Sequence, residues 1–377
     1  MKLVDMLYDP SKPYNDLALL PPTLDLESKA VLKACIEARA ALAELKACGH
    51  LIPNQAVLIN SIPLLEAQAS SEIENIVTTS DRLFRFANQQ SASIDPATKE
   101  ALRYRTALNL GFEMLNTRPL SVLTAIAVCR AIKGVELDIR ATPGTALINA
   151  ATQHVIYTPP EGESLLRDKL SNWERYIHDT TDVDPLITLA VMHYQFEAIH
   201  PFTDGNGRTG RVLNLLYLVA TGLLEIPVLY LSSFINEHKP AYCNLLSAVT
   251  REAAWEPWIL FMLAAIHDTA RWTAQKILAI RDLLDRTAER MRRDMPKIYS
   301  RELVEIIFVN PYCRIADLVA AGIVKRQSAS IYLKALTERG FLGEVDAGRE
   351  KLYINRALLA LLSGSASTLR AARPQTA

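Results

Sequence analysis

The chain has 377 residues and a mass of 41.9 kDa, enough for two or three domains with their own cores. Half of its residues are hydrophobic, 22% are charged, and 41 basic residues balance 41 acidic ones, which excludes a disordered chain and one built wholly around nucleic acid. The balance is uneven: from Lys297 onward 12 Lys/Arg stand against 7 Asp/Glu, a net of +5 that implies a modestly basic C-terminal module.

In chain order, the opening MKLVDMLYDPSKPYND has no apolar core or cleavage site, so no secretory signal is expected. ESKAVLKACIEARAALAELKACG predicts a helix closed by Gly49, and a second helix is expected from Pro63 through LLEAQASSEIENIV. KEALRYRTALNLGFEMLN and SVLTAIAVCRAI continue the helical spacing. TPGTALINAATQHVIYTPP, residues 142 to 160, places two short extended runs around a polar turn and predicts a hairpin. Asp184 and Pro185 read as N-cap and first-turn proline of a helix over LITLAVMHYQFEAI.

VLNLLYLVATGLLEIPVLYL, residues 212 to 231, approaches membrane length. Asn214, Glu225 and Pro227 interrupt it, so a buried helix followed by an extended segment is expected. A long helix from Trp255 is halted at Pro296. Beyond it, ELVEIIFVN, RIADLVAAG and RQSASIYLKALTERG predict three short helices. FLGEVDAGREKLYIN predicts a two-stranded wing with Gly348 near its tip, a winged-helix order. The tail SGSASTLRAARPQTA is expected to be disordered. Cys35, Cys48, Cys129, Cys243 and Cys313 are odd in number and lack metal-binding spacing, which fits reduced thiols in a cytoplasmic protein.

The densest chemistry lies in HPFTDGNGRTGR, residues 200 to 211. His200 offers a base for a hydroxyl, Asp204 a metal ligand, and Gly205, Asn206 and Gly207 a backbone nest for phosphate. Arg208 and Arg211 are three apart on the opening turns of the next helix, where its dipole favours anions. No GK[ST] follows the glycines, so this is not a Walker loop. His193, seven residues earlier, is expected to pack a helix, since two histidines make a poor metal site.

The segment resembles the Fic motif HxFx(D/E)GNGRxxR at every specified position. SSEIENIVTT, residues 70 to 79, is similar to the inhibitory signature (S/T)xxxE(G/N), with Ser70, Glu74 and Asn75 filling it. The chain thus resembles Fic-domain protein adenylyltransferases with an N-terminal inhibitory helix and a C-terminal winged helix, over almost its whole length. The resemblance implies a mainly α fold: a Fic helical core with a β-hairpin flap, an N-terminal helical region and a winged-helix domain. It places the N-terminal region at 1–100, the core at 101–295, the winged helix at 296–362 and the tail at 363–377.

It also implies transfer of AMP from ATP to Ser, Thr or Tyr hydroxyls of target proteins and of the enzyme itself, with Mg²⁺ or Mn²⁺. His200 would take the hydroxyl proton, Phe202 anchor the loop, and Asp204 hold the metal. Amides of Gly205, Asn206 and Gly207 would cradle phosphate, with Arg208 on the inner phosphates and Arg211 on the γ-phosphate. Glu74 would cap the site by pairing with Arg211, and the 142–160 hairpin would hold the target by strand addition. Members of the family often carry two tyrosines after the motif. Here Tyr242 is followed by Cys243, which leaves the adenine wall to Tyr242 or the segment around Leu231.

Three other readings are compatible with these residues. One is another Fic-type phosphate-group transfer, another is removal of AMP with Glu74 orienting a water, and the third is a DNA-binding regulator with a nucleotide-sensing core. Lys325, Arg326, Lys334 and Arg339 are the residues that would meet DNA, against protein docking or a homodimer as the module's alternative uses. No membrane partner is expected.

Overall fold

The computed structural model describes residues 8–87, 94–149, 152–347 and 350–364. Ser28 accepts from the Val31 amide and opens α1 (Lys29–Gly49). A short α2 (Ala56–Ile59) precedes α3 (Ile62–Ile73), which has Pro63 in its first turn. Here the structure departs from the expected helix. α3 stops at Ile73 because Asn75 turns left-handed (φ 62°) and the Ile76 amide folds back onto the Ser71 carbonyl at 3.0 Å. Thr79 caps α4 (Ser80–Phe86), Asp95 caps α5 (Pro96–Leu115), and α6 (Val122–Lys133) ends at left-handed Gly134.

A hairpin follows. β1 (Leu147–Ile148) pairs antiparallel with β2 (Val155–Tyr157), Leu147 opposite Tyr157. α7 (Glu163–Asp179) is a helix that the sequence reading did not anticipate. The Asp184 carboxylate accepts from the Leu186 amide at 2.8 Å and opens α8 (Pro185–Ile199). Left-handed Gly205 starts α9 (Asn206–Ala220), and an extended stretch leads to α10 (Leu231–Glu237), α11 (Lys239–Glu252) and the 40-residue α12 (Trp255–Asp294).

The C-terminal domain contains the expected three helices and hairpin: α13 (Arg301–Val309), β3 (Tyr312–Cys313), α14 (Ile315–Ala320), α15 (Arg326–Glu338), β4 (Gly343–Ala347) and β5 (Glu350–Ile354). β3 and the final α16 (Arg356–Ser363) were not anticipated; β3 joins the pair to make an antiparallel sheet in the order β3-β5-β4. Gly348 and the tail from residue 365 lie outside the described residues. The fold is therefore mainly helical with one small hairpin and a C-terminal domain, as expected. Among the described residues, no helix is long and apolar enough to cross a membrane. All five cysteines are free.

α8 sits at the centre. It is apolar on nearly every side, and it buries Leu186, Ile187, Leu189, Ala190, Val191, Met192, Phe196 and Ile199. Trp173 of α7 and Trp258 of α12 reach it from two sides, donating indole N–H to the Met192 and Ala190 carbonyls at 2.9 and 2.8 Å. α1 lies along α12 through Val31, Cys35, Ala38, Leu42 and Leu45, and α5 runs through position 100, so the N-terminal helices share this core.

The extended segment before α1 is also tied down. Asn172 holds Leu20 through both its amide and its carbonyl (2.8 and 2.9 Å), Gln195 donates to the Ala18 carbonyl (2.8 Å), and the Tyr14 amide donates to Thr158 beside β2 (3.0 Å). The hairpin is thereby braced from outside its own sequence.

Candidate functional site

The loop from His200 to Gly205 joins the C-terminus of α8 to the N-terminus of α9. His200 terminates α8 in the left-handed region (φ 50°), a conformation that costs a non-glycine residue roughly 1–2 kcal/mol and must be held by its surroundings. Phe202 does part of the holding. It is fully buried against Phe196, with ring centroids 6.3 Å apart. Asn206 does more: its side chain accepts from the Phe202 amide and donates to the Phe202 carbonyl, both at 2.8 Å. The Asn206 side chain thus faces inward and closes the loop, leaving its backbone amide in the first turn of α9.

Arg140 supplies the third brace, and nothing in its local sequence marks it. It is 4% exposed, and its guanidinium donates to the His200 carbonyl (2.8 Å), the Ile199 carbonyl (3.4 Å) and the Pro160 carbonyl at the hairpin base. The Tyr157 hydroxyl of β2 donates to the Ala198 carbonyl at 2.8 Å. A cation on the last carbonyls of α8 is favoured by the helix dipole. Together these bonds couple the hairpin to the backbone of His200. Arg140→Ala is expected to slow any His200-dependent turnover by about 10²-fold with nucleotide affinity retained, because the imidazole is displaced rather than removed. Steady-state and binding measurements on one preparation check this.

The His200 ring is partly buried. Its Nδ1 has no hydrogen-bond partner, and its pKa is lowered to about 4, first by loss of solvent and then by the Arg140 charge. The imidazole is therefore neutral at pH 7 and able to accept a proton.

Gly205, Asn206 and Gly207 open α9; the Gly205 amide donates to Asp204 Oδ1 at 2.5 Å, and the amides of Asn206 and Gly207 are first-turn donors with no intrahelical acceptor. Gly207 has no room for a side chain, because a Cβ there would run into the Glu74 carboxylate. That carboxylate closes the mouth of the turn. Arg211 is 1% exposed and donates from Nη2 to Glu74 Oε1 (2.8 Å) and the Ser70 carbonyl (3.0 Å), and from Nε to Ser70 Oγ (2.8 Å). Ser70 and Glu74 are four residues apart at the end of α3, so both meet one guanidinium. Burial opposes ionisation of both partners, yet each other's charge prevails: Arg211 is raised above its usual range and Glu74 is lowered. Left-handed Asn75 ends the turn that presents Glu74.

Arg208 is equally buried but faces the other side, donating to Glu100 Oε1 of α5 at 2.5 Å with Asp204 Oδ1 3.7 Å away. Asp204 is 62% exposed at the mouth and ion-paired with Lys133 of α6. Burial works against its charge, but Lys133, Arg208 and the Gly205 amide lower its pKa below the ordinary aspartate value. Neither Glu100 nor Lys133 was singled out in the sequence.

Tyr242 and Leu231 are buried, and the Tyr242 hydroxyl meets His193 Nε2 at 2.9 Å. His193 stacks on Trp258 (6.0 Å between centroids), and burial lowers its pKa to about 3. Cys243, where relatives often carry a second tyrosine, is exposed. Glu197 was also missed. Its Oε1 is buried without a partner beside Gly210, and burial raises its pKa to about 7. Among the described residues, no group of three or more His, Cys, Asp or Glu could hold a metal alone. On the hairpin, Ile148 and Ile156 are about half exposed (52% and 48%).

Three stretches match known families: Fic/DOC family N-terminal at residues 32–113, Fic/DOC family at 133–218, and the protein adenylyltransferase SoFic-like C-terminal domain at 283–358. The chain is 38% identical over 68 residues to protein adenylyltransferase fic-1 of Caenorhabditis briggsae, 18% of this chain and 13% of that protein. It is 40% identical over 68 residues to a probable protein adenylyltransferase of Aquifex aeolicus, 20% of that protein. The matches thus span a fifth or less of these curated relatives. A Fic family protein from Desulfovibrio desulfuricans G20 shares the fold, with a TM-score of 0.56 at 20% identity over 89% of this chain and 98% of that one. The three matched stretches bracket α1–α5, the motif loop with its two arginines, and the C-terminal helices and sheet, and the chain belongs to the Fic/DOC family.

Proposed function

We propose that the chain is a protein adenylyltransferase that moves AMP from ATP to Ser, Thr or Tyr hydroxyls of target proteins and of itself, restrained by Glu74. One observation carries this reading: a neutral imidazole stands at one side of an open helix N-terminus, and a carboxylate bound to Arg211 stands at the other. Amides of Gly205, Asn206 and Gly207 would hold the inner phosphates, with Arg208 beside them. A target hydroxyl then attacks the α-phosphorus. The new O–P bond forms as the α–β bridging bond breaks, pyrophosphate leaves with the bonding electrons, and His200 accepts the hydroxyl proton.

Arg211 would bind the γ-phosphate, but in the present arrangement its donors are on Glu74 and Ser70. Glu74 also puts negative charge where the outer phosphate would lie, so it both removes a partner and repels the substrate. The residues fit a divalent cation: Asp204 is an exposed, ionised carboxylate at the mouth and already carries a cationic partner. Mg²⁺ or Mn²⁺ held by Asp204 would neutralise phosphate charge, with phosphate oxygens and water completing its shell. The half-exposed hairpin strands, braced against the His200 backbone, would present the target segment.

Label from α-labelled ATP is expected to enter protein in a cation-dependent way, and label from γ-labelled ATP is not. Transfer of γ-label would make the chain a kinase and defeat this reading.

A further inference from the structure

We propose that Lys133 is a third phosphate-binding cation of this site, held by Asp204 until nucleotide arrives. The inference rests on the phosphate-site reading given above and adds a residue to it.

The two motif arginines are placed by burial. Both side chains are 2% exposed, Arg211 on α3 and Arg208 on Glu100. Lys133 is built differently. It is the last residue of α6, its side chain is 25% exposed, and it reaches the motif loop from another helix. Its stem passes Gly205 so closely that a Cβ there would meet Lys133 Cδ at 3.4 Å and Cγ at 3.6 Å. Its ammonium is ion-paired with Asp204 Oδ2 and lies 3.8 Å from Glu100 Oε1. Glu100 in turn holds Arg208, and Arg208 lies 3.7 Å from Asp204 Oδ1. Two acids and two bases close a ring around the N-terminus of α9.

An anion seated on the first-turn amides enters this ring beside Asp204. Its negative charge competes with the Asp204 carboxylate for the ammonium, with no divalent cation required. Lysine is a compact charge on a flexible stem with three rotatable donors, so it can follow the charge. Released from Asp204, Lys133 needs only a small swing to reach oxygens of a diphosphate lying over Gly205. Arg208, pinned by Glu100, has no comparable freedom. The backbone of Lys133 stays fixed meanwhile, because Arg103 donates to its carbonyl at 3.0 Å. The ligand class is a nucleoside di- or triphosphate, and the contact lies on the inner phosphates.

The test is equilibrium binding of ADP in EDTA to full-length protein carrying Glu74→Gly, alone and with Lys133→Met or Lys133→Arg, with melting curves for each. ADP has no γ-phosphate and EDTA removes the cation, so the inner-phosphate contacts are read alone. Lys133→Met is expected to weaken ADP about tenfold, the size of one charge-assisted contact, and Lys133→Arg to stay within about threefold of the parent. A change of less than about threefold in Lys133→Met, on a protein that melts like the parent, overturns the inference and leaves the ion pair with Asp204 purely structural. An equal loss in Lys133→Arg overturns it too, since packing on Gly205 rather than charge would then be responsible. No ADP binding by the parent defeats the phosphate-site reading itself, and this inference with it.

Discussion

Replacing His200 by alanine is expected to cut protein labelling from α-labelled ATP by about 10²–10⁴-fold, the range for loss of a general base. Nucleotide affinity is expected to remain within about twofold, because the imidazole handles a proton and carries no charge at pH 7. The structure makes the substitution a clean one. The loop is held by Phe202, the Asn206 clasp and the Arg140 bonds to backbone carbonyls, none of which involves the His200 ring. His200 Nδ1 has no partner in normal hydrogen-bond geometry, and the ring's backbone interaction is with nearby Glu197, so no wider side-chain network is lost when the ring is removed.

The pH profile is a second check on the same residue. A pKa lowered to about 4 means the base is lost only as the pH falls through that value, since protonation of the ring removes its acceptor. The kcat/KM of the free enzyme is therefore expected to be flat with respect to this group from about pH 5 upward. A variant that labels at the parent rate would remove His200 from the proton-transfer role, whereas an acid limb near pH 6.5 would mean that the ring titrates at its ordinary value.

Glu74→Gly is expected to raise labelling, including self-labelling, by about 10²-fold, the scale on which a misplacement of roughly 1 Å in a reacting group acts. The carboxylate occupies one donor of Arg211 and abuts Gly207, so its removal frees a cation and clears the turn at once. The backbone at Glu74 lies at φ −90°, so glycine introduces no strain relief of its own. The variant has a cost. Arg211 is 1% exposed and keeps only its two Ser70 contacts, so the melting temperature of the unliganded protein is expected to fall.

ATP is expected to restore that loss by occupying the vacated partner. Adding Arg211→Ala should cancel most of the gain in labelling, since both residues act through one contact. An unchanged rate in folded Glu74→Gly would defeat the inhibitory role. A gain that persists in the double variant would show that Glu74 acts through Gly207 and not through Arg211.

Contiguous residues determined much of this protein. HPFTDGNGRTGR places a helix end, a left-handed turn, a helix start and its cations within twelve positions, where chain geometry leaves few alternatives. Capping residues did the same for α1 and α8, through Ser28 and Asp184. Local signals failed where competing contacts decide. α3 was expected to continue through Val77, but Asn75 turns left-handed, and only this break presents Glu74 to Arg211. α7 carries Asp, Lys, Arg and Asn throughout, so its amphipathic spacing was overlooked, and β3 is only two residues long.

The remaining parts of the site belong to the tertiary structure alone. Arg140 meets His200 across 60 residues, Lys133 meets Asp204 across 71, and Glu100 meets Arg208 across 108. Each is an ordinary charged residue in its own segment, where a solvated surface position is the usual outcome. What makes it part of a site is the packing of α5, α6 and the hairpin base against one end of α8 and α9. Periodicity reports which face of a helix is apolar, but it does not report which helix will cover that face or which charge will arrive with it.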